Sequence, residues 1–473
     1  MTPELFANRD NPLQRVAKPI AAILISGVVA GCLFTEAYLG RISLSIEVLA
    51  CIAALCIMGI RPRDPLMRLY KLFLLGEFFV LPLWQLATRD SIYLPLLRES
   101  NPTVFLWFAL NIAGLLVTVL ILGSTRDNDV ALTQVRVLIR AKSSVYVMAL
   151  IALAGLAFIY YKLGGYHAVV ELYRQRIQSG VQEFDPLNGL GSIQALANTA
   201  PLWIFVCLTL RPWKGICIKL ANVAQLVALG WLSSGVFGNR QGMLLVLIFS
   251  FFLHDQLVKS FSLKEKRSMA LCVFFLAIAL MPLKFGIDYT NLRKFSQNFE
   301  EKRQLHLSMG PLSFLLFRDL SRFDVQLTAL SVVTEPAYSL PLGRSFLGAI
   351  SAIIPRFVWN DRPSTFVEEK TAIVGASESG NSEETTLLFG MPGEMLVNFG
   401  IFGYVSSFAV PALMLVFLRK LQRTQNRRWT PLKVVLTPLP FLFFLFDSNV
   451  LAYYVMRWIL LFALPLTFVL RRD

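Results

Sequence analysis

The sequence predicts an all-α polytopic membrane protein with about 12 transmembrane helices, and three observations carry that reading. Of its 473 residues, 55% are hydrophobic and only 16% charged, well short of the roughly one quarter charged in a soluble domain. Apolar runs of about 20 residues recur along the chain, each able to cross roughly 30 Å of hydrocarbon. The basic residues gather in alternate loops between those runs, as the positive-inside rule requires. The runs are continuously apolar and do not alternate, which excludes a transmembrane β-barrel.

Each span has its own justification. The N-terminal MTPELFANRDNPLQRVAKPI leads into the run 19–40 without a small-residue cleavage site, so a retained helix is read there and not a signal peptide. The runs 43–60 and 67–88 meet at Arg61, Arg63, Arg68 and Lys71, and 103–123 and 144–163 at Arg126, Arg136, Arg140 and Lys142. The runs 192–210 and 218–232 flank Arg211, Lys214 and Lys219, and 241–258 and 268–286 flank Lys259, Lys264, Lys266 and Arg267. Three more, 395–417, 432–447 and 450–470, close the chain, with Arg419, Lys420, Arg423, Arg427 and Arg428 between the first two. With twelve spans, every one of these basic sets shares a side with Arg9, Arg15 and Lys18 at the N-terminus. Both termini are therefore expected in the cytoplasm.

The chain divides accordingly into a nine-span membrane region (1–286), a large extracytoplasmic loop (287–394) and a three-span membrane region (395–473). It shows no internal repeat, which counts against the commonest transporter designs. Within the loop, PLSFLLFRDLSRFDVQLTALSVV repeats Leu312, Leu316, Leu320, Phe323 and Leu327 at helical spacing. That pattern predicts an amphipathic helix lying on protein or at the interface.

The net charge of +15 is no sign of a nucleic-acid partner, because the basic residues sit in short loops between spans. The six cysteines lie in or beside apolar segments without a CxxC pair, and the three histidines are scattered. No disulfide framework, metal site or cofactor is expected.

Four polar pieces fall on the extracytoplasmic side. KLGGYHAVVELYRQRIQSG carries Arg174 and Arg176, and SSGVFGNRQG carries Arg240 between two glycines. FRDLSRFDVQ places Arg318 and Arg322 four apart, on one helical face. IIPRFVWNDRP brackets Arg356 and Arg362 with prolines. Nearby, FGMPGEMLVNFG puts Glu394 in the first turn of the tenth span, with Asn398 one turn deeper on the same face.

Several arginines without metal ligands, beside apolar grooves, suit a lipid diphosphate. The guanidinium keeps its charge and presents a planar fork to phosphate oxygens, and it stabilises a departing diphosphate. Glu394 is the nearby carboxylate placed to accept a proton from a sugar hydroxyl. Blander readings stand beside these. The arginines also suit lipid headgroups, and Arg318 and Arg322 can pair with Asp319 and Asp324 on a solvated face. Glu394 favours the helix dipole without a catalytic task. Within the spans, Glu47, Glu77 and Arg457 are expected to face the bundle interior. Glu77 reads either as an ion-pathway residue or as the partner of Arg457.

At LGGYHAVVELYRQR, DPLNGLG (Asp185–Gly191), SSGVFGNRQG, LSRFDVQL, IPRFVWNDRP and GEMLVNFG, in that order, the chain resembles the Wzy-type O-antigen and exopolysaccharide repeat-unit polymerases. It departs from them at Arg362, where a lysine is expected before the proline. The resemblance covers about 160 to 405 and implies a bacterial inner-membrane glycosyltransferase similar to other membrane-embedded enzymes that use lipid-linked donors. Such enzymes join undecaprenyl-diphosphate-linked oligosaccharide units on the periplasmic side, without a nucleotide sugar or a metal. Membrane lipid, a chain-length regulator and a flippase are the implied partners. Arg174, Arg176, Arg240 and Arg322 are implied in diphosphate binding, with Arg318, Arg356, Arg362 and Asn398 as further substrate-binding candidates. Glu394 or Asp324 is implied in orienting or deprotonating the acceptor hydroxyl. An O-antigen ligase and a lipid-linked oligosaccharide flippase or transporter are the alternatives.

Overall fold

A computed structural model of the chain describes residues 44–60, 65–88, 101–123, 142–179, 190–209, 216–236, 240–257, 268, 271, 321–351, 354, 359, 363, 365–366, 373, 388–424 and 427–470. Among these residues the protein is helical, with no β-strand. The expected span 19–40, all of 268–286 but residues 268 and 271, and most of the large loop lie outside the described residues.

The helices are α1 (Leu44–Gly59), α2 (65–88), α3 (Asn101–Gly123), α4 (Lys142–Lys162), α5 (Tyr166–Ser179), α6 (Gly191–Thr209), α7 (216–235) and α8 (Arg240–Leu257). From the loop come α9 (Phe323–Val333) and α10 (Arg344–Ser351). The C-terminal region forms α11 (Gly390–Ser407), α12 (Ala409–Arg423), α13 (Thr430–Leu445) and α14 (Ser448–Val469).

Among the described residues, four helices are long and apolar enough to cross a membrane: 102–123 within α3, together with α4, α6 and α14. The bent pair α11 and α12 makes a fifth if it counts as one span. Large apolar side chains stay exposed on outward faces, among them Leu116 and Leu120 on α3 and Leu150, Ile151 and Phe158 on α4. Hydrocarbon is the solvent that suits such faces.

Prolines shape the helices locally. Pro82 cannot donate a backbone hydrogen bond and crowds the carbonyl four residues back; α2 widens just before it into a π turn at Gly76–Val80. The same occurs in α14, where a π stretch at Val455–Ala463 precedes Pro465. Such bulges turn side chains out of register with the regular helix. In α2 the π turn buries Glu77 and Phe78; in α14 it buries Arg457 and Trp458.

The expected tenth span, 395–417, is not one straight helix. It begins a turn earlier, at Gly390, carries positive φ at Gly400, and bends by 44° between α11 and α12. Helix α9 takes the first of its two expected placements, on protein, but without an exposed polar face. Phe323 to Leu330 are buried on every face, polar Asp324, Gln326 and Thr328 included. The reason is packing: α9 lies against α3 and α11, with the Phe323 and Trp107 rings 4.7 Å apart. It is a core helix and does not lie on an interface.

Two large apolar cores result among the described residues. The first joins α1, α2, α3, α9, α11 and α12 around Phe78, Phe108 and Phe408. The second joins α4, α6, α7, α8, α13 and α14 around Trp203, Phe249 and Trp458.

Candidate functional site

The polar groups gather at one end of the bundle, and Glu394 is the first of them. Gly390 sits at positive φ, and any Cβ there would overlap the Phe444 carbonyl. This close approach sets the start of α11 against α13 and aims Glu394 at the N-terminus of α14. The Glu394 carboxylate accepts from the Ser345 hydroxyl at 2.6 Å, the Ser448 backbone N–H at 2.6 Å and the Ser448 hydroxyl at 2.5 Å. A carboxylate at exposed helix N–H groups is favourable by charge and by hydrogen bonding. Asn398, one turn on, donates to Ser345 Oγ and to the Glu394 carbonyl, both at 2.9 Å, and accepts from Gly343 N–H at 3.0 Å. Glu394 and Asn398 are fully buried. The pair ties α10 from the loop to α11 and α14.

Asp447 precedes α14 and accepts from Phe389 N–H at 2.9 Å, while Gln326 donates to the Phe389 carbonyl at 2.9 Å. One peptide is thus held from both sides. The Gln326 carbonyl accepts from Trp107 Nε1 at 3.1 Å and shares the Tyr404 hydroxyl, which also contacts Asn111, each at 2.9 Å.

Arg322 lies just ahead of α9 with non-helical backbone angles, so it does not extend that helix toward Arg318. It is buried, and a solvated face is excluded for it. Its N–H donates to Glu77 Oε1 at 3.2 Å, its Nε to the Leu445 carbonyl at 3.1 Å and its Nη1 to the Ser321 carbonyl at 3.0 Å. Glu77 faces Arg322, from the π turn of α2, and not Arg457. Asp324 is buried beside them and accepts from Val325 N–H at 2.9 Å.

A second polar set surrounds Arg457. Its guanidinium carbon stands 4.9 Å from the Tyr453 ring centroid and 5.1 Å from that of Trp458. Its Nη1 and the Ser234 hydroxyl crowd the Gly242 α-carbon so closely that a Cβ would overlap both. Gly242 in GNRQG therefore serves close approach. Ser234 donates to Asn198 Oδ1 at 3.1 Å, at the turn that divides α6.

The helix ends meeting here are the end of α2 and the starts of α3, α6, α8, α11 and α14, which the sequence reading assigns to one side. At the opposite end, Arg428 donates to the Thr467 carbonyl at 2.9 Å, Lys433 to Thr424 at 2.8 Å and Lys71 to Met58 at 2.9 Å.

Of the expected site residues, the structure brings together Glu394, Asn398, Asp324 and Arg322 in the first core. Arg240 opens α8, and Arg174 and Arg176 lie on α5, a helix where the sequence reading had a loop; the side chains of all three lie outside the description. Arg318, Arg356 and Arg362 lie outside the described residues, as does the side chain of Glu47. Among the described residues, no three His, Cys, Asp or Glu side chains are placed to hold a metal ion. Sequence reading missed Ser345, Asp447 and Ser448. For the last two a signal exists, since Asp-Ser directly ahead of an apolar run is a helix-start pattern. No protein-family model, characterised protein or solved structure matches the chain.

Proposed function

We propose that this protein is a metal-independent glycosyltransferase of the bacterial inner membrane. It polymerises undecaprenyl-diphosphate-linked oligosaccharide units into O-antigen or exopolysaccharide at the periplasmic face. The observation that carries the reading is convergence on α14 of two motifs far apart in sequence. Its first turn is held by Glu394 of GEMLVN, and its third turn lies against Gly242 of GNRQG. A reaction joining two lipid-linked sugars needs an acceptor side and a leaving-group side held in fixed relation, and one rigid helix provides that relation.

In this reading the acceptor hydroxyl oxygen attacks the anomeric carbon of the donor chain. The bond from that carbon to the phosphate oxygen breaks, and the diphosphate leaves on its lipid with both bonding electrons. Arginine guanidinium groups stabilise the leaving charge. The hydroxyl proton passes to a carboxylate. Three donors already engage Glu394, which supports an orienting role for it and leaves proton acceptance to Asp324.

The test is deletion in the native host, followed by analysis of lipid-linked sugars and surface polysaccharide. Single repeat units on their lipid carrier, with no polymer ladder, are expected. Finished polymer left on its carrier points instead to a ligase, and units held on the cytoplasmic leaflet to a transporter. An unchanged ladder overturns the proposal.

A further inference from the structure

Among the described residues, no carboxylate answers the charge of Arg457. The residue is 4% exposed, and its Nε has no hydrogen-bond partner among the described residues. The groups around it are neutral: the Tyr453 and Trp458 rings, the Ser234 hydroxyl and the Gly242 backbone. Ring faces attract a cation, and the Tyr453 hydroxyl takes one of its hydrogen bonds, but neither meets the Nε donor. A buried guanidinium without a carboxylate is costly, and such residues in membrane spans mark binding sites or pathways.

An apolar groove begins beside it. Tyr166, Val223, Val227, Trp231, Leu232 and Met243 line a cavity of about 860 Å³ between α5, α7 and α8. Met243 adjoins Gly242, against which Arg457 rests, and Trp231 and Leu232 lie two or three residues from Ser234. The π turn at Trp231–Gly235 on α7 carries Ser234, whose side chain lies against Gly242 as Arg457 Nη1 does. A cation at one end of an apolar trough selects a ligand with an anionic head and a hydrocarbon tail.

We infer that Arg457 binds the phosphate head of a single-chain lipid phosphate whose tail lies in the α5–α7–α8 groove. The inference rests on the proposed function for the identity of that lipid, the leaving-group carrier. The planar guanidinium offers Nε and an Nη together to two phosphate oxygens. Tyr453 and Trp458 hold its plane.

Full-length protein in detergent tests this with three probes: farnesyl diphosphate for head and tail, inorganic diphosphate for the head alone, and farnesol for the tail alone. Binding is read by tryptophan fluorescence, since Trp231 and Trp458 border the two parts of the site. Farnesyl diphosphate should bind at least tenfold more tightly than either part. Arg457→Met should weaken it by roughly 10- to 100-fold, the ratio for one lost charge-assisted pair, and leave farnesol unchanged. Arg457→Lys, which keeps charge without the fork, should fall between. Ala228→Trp, filling the groove, should weaken farnesyl diphosphate and farnesol but not inorganic diphosphate. Equal affinity of Arg457→Met and wild type for farnesyl diphosphate overturns the inference, as does inorganic diphosphate binding as tightly as the lipid. Should Arg457→Met misfold, Arg457→Lys and Ala228→Trp decide alone. These readouts involve no glycosyl transfer, so a failed polymerase reading leaves them intact, and failed binding leaves the deletion phenotype to stand separately.

Discussion

Glu77 and Arg457 occupy matching places in two different regions of the molecule. Each sits in a π stretch just ahead of a proline, and each is buried. Their surroundings differ. Glu77, in the first core, accepts the Arg322 N–H and faces that residue's charge, with Gln326, Trp107, Tyr404 and Asn111 networked around it. Arg457, in the second core, has rings and neutral groups and an unpartnered Nε among the described residues. The same backbone device thus serves two ends: a closed polar network holds helices together, and an open cation waits for a ligand. Buried charge by itself does not separate structure from binding. The separation comes from whether the protein supplies the counter-charge.

The largest effect should follow from opening the closed network. Glu77→Ala removes the buried carboxylate that accepts the Arg322 backbone N–H and faces its charge, and should cost about 3–5 kcal/mol, as for breaking a buried charge contact. Denaturant unfolding in detergent measures it, and an unshifted midpoint would end the contrast with Arg457.

Next is Gly390→Ala, which places a Cβ at positive φ and onto the Phe444 carbonyl. A loss of ~2–4 kcal/mol combines left-handed strain with overpacking. A near-neutral result in the same assay would show that α11 does not need this approach to α13. Tyr404→Phe sharpens the picture more finely. It removes a hydroxyl shared by the Asn111 and Gln326 side-chain oxygens and should cost ~1–2 kcal/mol; no change would mean the Trp107 N–H alone holds the Gln326 oxygen in place.

The smallest effect is expected at Arg457→Met, within ~1 kcal/mol of wild type or on the stable side, because no described carboxylate is left unpaired. A loss as large as that of Glu77→Ala would break the comparison and place a counter-anion inside the protein itself.

How much of this was legible beforehand depended on range along the chain. The helices α1 to α4, α6 to α8 and α14 were readable as apolar runs. Of these, α3, α4, α6 and α14 are long and apolar enough to cross a membrane, where a hydrocarbon solvent leaves the backbone no partner but its own helix. The relation of Glu394 to Asn398 was readable too, since four residues make one turn. The π stretches ahead of Pro82 and Pro465 were not legible in the sequence, where 67–88 and 450–470 read as plain spans. Other features were hidden. The period of α9 pointed to an amphipathic helix, yet its polar face is buried, because Trp107, Tyr404 and Phe389 meet Gln326 from elsewhere in the chain.

The sequence by itself determined a helical chain with segments apolar and long enough to cross a membrane, and the local order of charges on each helix. These follow from backbone hydrogen bonding and from helical period, which need no distant partner. Only the tertiary structure decided that Glu77 meets Arg322, 245 residues away, that Ser448 meets Glu394, and that Arg457 meets Gly242. An apolar helix in an apolar solvent carries no hydrophobic face to say which side turns inward. Close approach at small residues and the pairing of scattered polar groups make that choice, and both exist only once the helices have packed.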